Sequence, residues 1–437
     1  MRLKLIKANQ KNFLAKLDIF LQKRKLQNPK IDRKVRNIIQ DIKKNKDLAL
    51  IKYEKKYLKL KNISLNNIKF SNFERNKIIK KLDKKTKASI DLAFERIFNF
   101  HKKQKLSSYI FKDKFKNSFA YKSNTLDKIG VYVPGGRANY PSSVLMNCIP
   151  ALVAGVKEIY MSTPAMNKSY NPAVIYAAQK CNVKKIYKIG GAQAIAAMAY
   201  GTKTIEKVDK IVGPGNAFVA SAKKQVFGDV GIDMIAGPSE VTIVADKSSK
   251  PDWIAADLIA QAEHDETSQS IILADDIKII KKVNYFLLQQ LKNLPKKAIA
   301  AKSLKNFGLS ILVNNRKMLT EIINLIAPEH LEILTKNSDK ILKDVRNAGS
   351  IFIGEYSPEA VGDYLAGPNH VLPTSGSARF SSGLSVYDFL KRYSVIKMSK
   401  KGIERLGSSV INLAEYENLE GHANSIKIRL IKKRKNN

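Results

Sequence analysis

Three times between residues 128 and 228 an apolar, β-branched run passes into a glycine-rich turn and then into a helical stretch. Lys128–Gly136 (KIGVYVPGG) leads to a helical Ser143–Ala154 and a further strand, Glu158–Ser162. Lys185–Ile189 runs into GGAQAIAAMAYGT, and Lys210–Val212 runs into GPGNAFVASAKKQVFG. Short apolar strands alternating with helices imply a parallel sheet covered on both faces, because parallel neighbours need a crossover. Ligands of such sheets sit beyond the carboxyl ends of the strands, where these turns lie. The chain is therefore expected to be α/β. A second α/β block opens near Ile235, with strands expected at Val241–Ala245, Ser270–Leu273, Leu309–Val313 and Ser350–Ile353.

The expected divisions are a helical N-terminal region (1–127), a first α/β block (128–234), a second (235–380) and a small C-terminal appendage (381–437). The N-terminal region carries helix-period apolar residues, as in Val35–Ile42 and Ile90–Phe98, and no visible chemistry. The length of 437 residues and a hydrophobic fraction of 44% suit a multi-domain globular protein. No run of 18 apolar residues exists to span a membrane, and the basic, amphipathic N-terminus has no signal-peptide pattern. Cys148 and Cys181 lie in apolar segments without metal or disulfide spacing, so they are expected in the core of a cytoplasmic protein. The net charge of +40 invites a nucleic-acid reading. The lysines, however, are scattered and thin out in the glycine-rich stretches, which argues for solvated positions and against a specific nucleic-acid partner.

The segment Ile254–Asp265 (IAADLIAQAEHD) reads as a helix with Ser249 as N-cap and Pro251 in the first turn. Gln261 and His264, three apart, then project from one face at the end where the dipole favours a cation. Only five histidines occur in the chain. Four of them, His264, His330, His370 and His422, stand beside carboxylates, prolines or glycines, whereas His101 reads as a surface or packing residue. His264 and Gln261 with Asp363 and His422 could form a zinc site, although H-E-x-x-H and C-x-x-C are absent. Glu329–His330 offers two proton-transfer groups, or else a helix start after Pro328. The turns GGAQAIAAMAYG and VGPGNAF place backbone N–H groups where phosphate could sit, yet neither is G-x-G-x-x-G.

Together these stretches resemble the histidinol dehydrogenase family from about Lys128 to Ser425. The pieces that carry the resemblance are YVPGG-x-A-x-YPSSVLM, GGAQAIAA-x-AYGT, VGPGNAFV, AGPSEV, AQAEHD, APEHLE, VGDYLAGPNHVLPT and the EGH of LEGHANS. The resemblance implies two incomplete Rossmann-like domains and a homodimer that binds Zn2+ and NAD. It implies oxidation of L-histidinol through histidinaldehyde to L-histidine, with reduction of two NAD+. Gln261, His264, Asp363 and His422 would be the metal ligands, the last from the partner subunit. Glu329 and His330 would be the catalytic pair. Ser239, Glu417, His330 and the ligands would touch substrate, Tyr132, Gln193 and Asn216 would touch NAD, and His370 would be a further active-site residue. A zinc hydrolase would leave the glycine-rich turns unexplained, and an RNA-binding protein would require salt-resistant, sequence-selective binding.

Overall fold

The structure, a computed structural model, describes residues 2–24, 28–58, 63–104, 107–135, 140–165 and 169–430. Residues 136–139 of the first motif and the basic tail 431–437 lie outside the described residues. Among the described residues the strands are β1 (Lys4–Lys7), β2 (Tyr109–Lys112), β3 (Ser118–Thr125), β4 (Lys128–Tyr132), β5 (Glu158–Ser162), β6 (Lys185–Tyr187), β7 (Lys210–Val212), β8 (Gly231–Ile232), β9 (Glu240–Ala245), β10 (Gln269–Ala274), β11 (Gly308–Leu312), β12 (His330–Ile333), β13 (Ser350–Ile353) and β14 (Leu390–Lys397).

The chain forms two compact units. One comprises Met1–Gln104 with Leu126–Phe389, the other Lys105–Thr125 with Leu390–Asn437. The first unit is a mixed α/β structure holding two parallel sheets, ordered β6-β5-β4-β7-β8 and β1-β11-β10-β9-β12-β13. Strands β9 and β10 are buried at every residue, as a sheet covered on both faces requires. Helix Pro251–Ala262 covers the second sheet through Ile254, Ala255, Leu258 and Ile259, which pack with Val241, Ile243 and Ile272. In the first sheet, Cys148 and Cys181 are free, buried among Ile149, Ile159, Met161 and Ile175.

The second unit is an antiparallel sheet, β14-β3-β2, joined to helices Lys400–Tyr416 and Glu420–Leu430. Those helices approach closely at Gly407, where a Cβ would meet Leu430 and Ile426. The appendage expected from residue 381 thus begins as a compact unit at Leu390 and includes Lys105–Thr125.

Two local expectations are corrected. The N-terminal region is not all helical: β1 pairs with β11 in the second sheet, and β2 and β3 pair with β14. Strands of four residues such as KLIK carry too little periodicity to read, and their partners lie far away in sequence. Nor does Glu329–His330 open a helix. The preceding helix, Arg316–Ile326, ends at Ala327 in the left-handed region (φ 47°), and His330 starts β12, fully buried between β9 and β13.

Candidate functional site

Helix Pro251–Ala262 starts with proline at its first position and Asp252 in its first turn, which suits the positive end of the dipole. Its N-cap position is Lys250. Ser249, expected to cap it, instead donates its hydroxyl to the Leu334 carbonyl at 2.8 Å and accepts from Asp246 N–H at 3.0 Å. Gln261 sits buried in the last turn, while His264 lies just beyond the helix and is exposed. A second short helix, Glu359–Tyr364, follows Pro358 and places Glu359 and Asp363 on one face at i, i+4 spacing.

These pieces converge. His264, Glu359 and Asp363 can each offer one ligand atom, all within 4.8 Å of one another. The Gln261 amide joins them: with its NH2 toward Glu359 it donates to both carboxylate oxygens at 2.8 Å, and its carbonyl accepts from Glu240 N–H at 3.3 Å. Sequence reasoning missed Glu359, whose only signal was its spacing from Asp363 in SPEAVGDY. His370 lies against Asp363, its Nδ1 3.1 Å from the Asp363 carbonyl and 3.4 Å from Oδ1. Burial would raise the Asp363 carboxyl, but His370, His330 and His264 together hold it below its ordinary value.

The backbone of Glu240, at the start of β9, fixes the expected catalytic pair. Its N–H donates to Glu329 Oε2 at 2.8 Å, and its carbonyl accepts from His330 Nδ1 at 2.9 Å. A carbonyl partner makes Nδ1 the protonated nitrogen and leaves Nε2 as a free acceptor. Burial lowers the His330 imidazole to about 4, so it is neutral at neutral pH. Burial, and then the charges of Glu240 and Asp363, push the Glu329 carboxyl well above the usual carboxylate range. The Glu240 side chain is itself anchored, by Arg24 at 3.1 Å and by the Ser375 N–H at 2.7 Å. Beneath Glu359, whose N–H donates to Glu332 Oε1 at 2.7 Å, buried Glu332 in turn meets half-buried Asp257. A cleft of about 240 Å³ opens beside His330 and His370, with Phe352, Val361, Gly362 and Asn369 in its wall. Ser239 directly precedes β9, its carbonyl accepting from Gln269 N–H at 2.9 Å.

The other expected cofactor residues gather on the first sheet. Tyr132 ends β4, Gln193 is in the first turn of helix Gly191–Tyr200 after β6, and Asn216 caps helix Ala217–Val226 after β7. Tyr132 links the other two turns. Its hydroxyl accepts from Gly191 N–H at 3.0 Å, and its carbonyl would be 2.1 Å from a Cβ at Gly213, a position that also has φ +113°. The expected phosphate cradles are occupied by the protein itself. Glu54 takes Gly190 N–H, Asp233 takes Gly213 N–H, and the Asn216 side chain takes those of Phe218 and Val219.

Glu417 and His422 belong to the second unit. Glu417 ends helix Lys400–Tyr416, and His422 lies in the first turn of Glu420–Leu430; both are exposed. The first unit therefore gathers Gln261, His264, Asp363, Glu329, His330 and His370 at one place and Tyr132, Gln193 and Asn216 at another. His101 is a packing residue, fully buried, with Nδ1 2.8 Å from the Ile97 carbonyl.

Residues 21–430 match the family model described as histidinol dehydrogenase. The chain is 53% identical to the histidinol dehydrogenase of Pelagibacter ubique, over 99% of this chain and all of that protein. It is 49% identical to that of Clostridium acetobutylicum, over 92% and 93% of the two chains. The crystal structure of histidinol dehydrogenase from Elizabethkingia anophelis superposes with a TM-score of 0.91 at 38% identity, covering 98% of each chain.

The neutral state of His330 is directly measurable. In metal-free protein labelled with 15N-histidine, its long-range 1H–15N signals are expected to report an Nδ1–H tautomer down to about pH 4. A titration midpoint near the ordinary 6.5 would contradict the burial argument. Because the folded value is depressed, the associated stability is present above pH 6.5 and is lost as pH falls toward 4.

Proposed function

The chain belongs to the histidinol dehydrogenase family, NAD-dependent oxidoreductases that carry out the final two oxidations of histidine biosynthesis, and we propose how its own residues divide that work. The observation that carries the reading is the convergence of Gln261, His264, Glu359 and Asp363 beside Glu329, His330 and the cleft. Amide, imidazole and carboxylate donors without thiolate suit zinc. We assign the metal to Gln261, His264 and Asp363 with His422 of a second subunit, and Glu359 supports Gln261. When bound, zinc supplies a Lewis acid that orients the imidazole and amine of histidinol. NAD+ supplies the hydride acceptor in both oxidations.

The protein's residues do the rest. His330, neutral and with Nε2 free, takes the alcohol proton of histidinol as the carbinol C–H bond breaks. Glu329 takes a proton from the water that adds to the aldehyde carbon. Its burial raises its proton affinity, the property a base toward water requires. Ser239 and Glu417 position the substrate, and His370 steadies Asp363. Tyr132, Gln193 and Asn216, at the carboxyl ends of parallel strands, receive the dinucleotide. Neither cysteine takes part, since both thiols are enclosed in the core.

In domain terms, 128–234 and 235–380 are read as two incomplete Rossmann-like domains, 1–104 as their N-terminal support and the second unit, Lys105–Thr125 with Leu390–Asn437, as a dimerisation appendage. The helical pair bearing Glu417 and His422 exposes Leu413, Tyr416 and Ile428, an apolar surface that suits a second copy of the chain. None of the described helices is long and apolar enough to cross a membrane. The two free thiols fit a reducing cytoplasm.

Given histidinol and excess NAD+, the purified protein is expected to form two NADH per histidine. One NADH with accumulating aldehyde would defeat the division of labour above. The shared site has its own test. Inactive His330→Ala and His422→Ala subunits, mixed under conditions of subunit exchange, are expected to regain activity, because one composite site then contains both residues. No recovery despite demonstrated exchange would assign His422 to its own chain.

A further inference from the structure

The N-terminal helices supply a side chain to the cofactor residues, although nothing in their sequence marks it. Helical segment Pro29–Leu58 breaks at Lys46 (φ 47°). Past the break, Asp47 and Glu54 stand two turns apart on one face. They grip opposite ends of helix Gly191–Tyr200. Asp47 accepts from Lys203 N–H at 3.0 Å and from the hydroxyls of Thr202 and Thr204 at 2.5 and 2.6 Å, just past the carboxyl end. At the amino end, Glu54 Oε1 accepts from Gly190 N–H at 3.1 Å and from Gln193 Nε2 at 3.0 Å. Glu54 is fully buried, and its Oε2 has no partner among the described residues.

This arrangement leaves Gln193 one amide orientation. The NH2 is committed to Glu54, and the oxygen folds over Gly191, where a Cβ would lie 2.9 Å away and φ is +67°. No hydrogen bond to that oxygen is present among the described residues. Gln193 can therefore offer a ligand an acceptor, which suits a hydroxyl or carboxamide donor and does not suit phosphate. The Glu54 carboxyl already occupies the helix N-terminus, where it takes the Gly190 N–H.

We propose that Glu54 is a positioning residue for the dinucleotide: it locks the Gln193 amide so that its oxygen meets a hydrogen-bond donor of NAD, and it keeps phosphate away from this turn. The inference rests on the assignment of Gln193 to the cofactor. Burial raises the Glu54 carboxyl to about 8, so it is mostly uncharged at neutral pH and glutamine reproduces its shape and charge.

NADH dissociation constants, read by fluorescence titration of the zinc-stripped full-length protein, test this without turnover. Gln193→Ala and Glu54→Ala are each expected to weaken binding about tenfold, the scale of one lost buried hydrogen bond. The double variant is expected to bind no more weakly than Gln193→Ala alone, and Glu54→Gln is expected to bind like the parent. Glu54→Met replaces the alanine variant if circular dichroism finds the latter unfolded. ADP-ribose, which lacks the carboxamide, shows the same loss where the donor is a ribose hydroxyl and none where it is the carboxamide; both fit the proposal. Weakening in Gln193→Ala but not in the Glu54 variants would overturn the role of Glu54 and leave the cofactor assignment standing. Multiplying losses in the double variant, or a Glu54→Gln as weak as Glu54→Ala, would also overturn it. Unchanged NADH binding in Gln193→Ala would overturn the cofactor assignment itself, and the inference with it.

Discussion

The backbone of one residue, Glu240, ties the candidate site together. Its N–H reaches Glu329 and the Gln261 carbonyl, and its C=O reaches His330, so side chains from the start of β12 and from helix Pro251–Ala262 are tied to one residue of β9. Strand β9 is paired on both sides, by β10 and β12, so its backbone is held in register and makes a better anchor than another side chain. Burying this arrangement is costly, and the fold offsets the cost with partners. Arg24 and the Ser375 N–H hold the Glu240 carboxylate, and Arg24 also donates to the Ile326 carbonyl at 2.8 Å. Burial raises the Glu240 carboxyl to about 7 even so. Removing Arg24 would leave an unpaired buried acid next to the catalytic pair.

The first sheet has a comparable fixed point in Tyr132. Its hydroxyl and carbonyl each meet a glycine turn, so the loops after β4, β6 and β7 are set against one another by contacts only glycine permits. Gly135 and Gly190 both abut Pro164, where a Cβ would lie within 2.5 and 2.7 Å. That packing explains why the turns are glycine-rich without matching a dinucleotide fingerprint. The Gly190 and Gly213 N–H groups are taken by Glu54 and Asp233, and these glycines allow the close approach of backbones.

The parallel sheets were legible because period and turn chemistry agree: β5, β7 and β13 coincide with the expected strands, and β4 ends at the expected turn. Local patterns failed where pairing is non-local. β1 has four residues and finds its partner some three hundred residues away, and β12 looked like a helix start because Pro328 and Glu329 carry that signature. Gln261, His264 and Asp363 were recognisable as a set from the motifs around them, whereas Glu359 and Glu54 were not. Glu359 acts through its spacing on a six-residue helix, and Glu54 acts from a lysine-rich helix that shows only amphipathic packing in its sequence. A residue whose role is to hold another side chain leaves no motif of its own.

The claim on which the rest depends is that amide, imidazole and carboxylate groups of this cluster take the metal. Zinc K-edge X-ray absorption of the loaded full-length protein tests it most directly. A first shell of nitrogen and oxygen alone is expected, with histidine scattering reduced in His264→Asn. A shell that contains sulfur, or one unchanged by that substitution, would contradict the account.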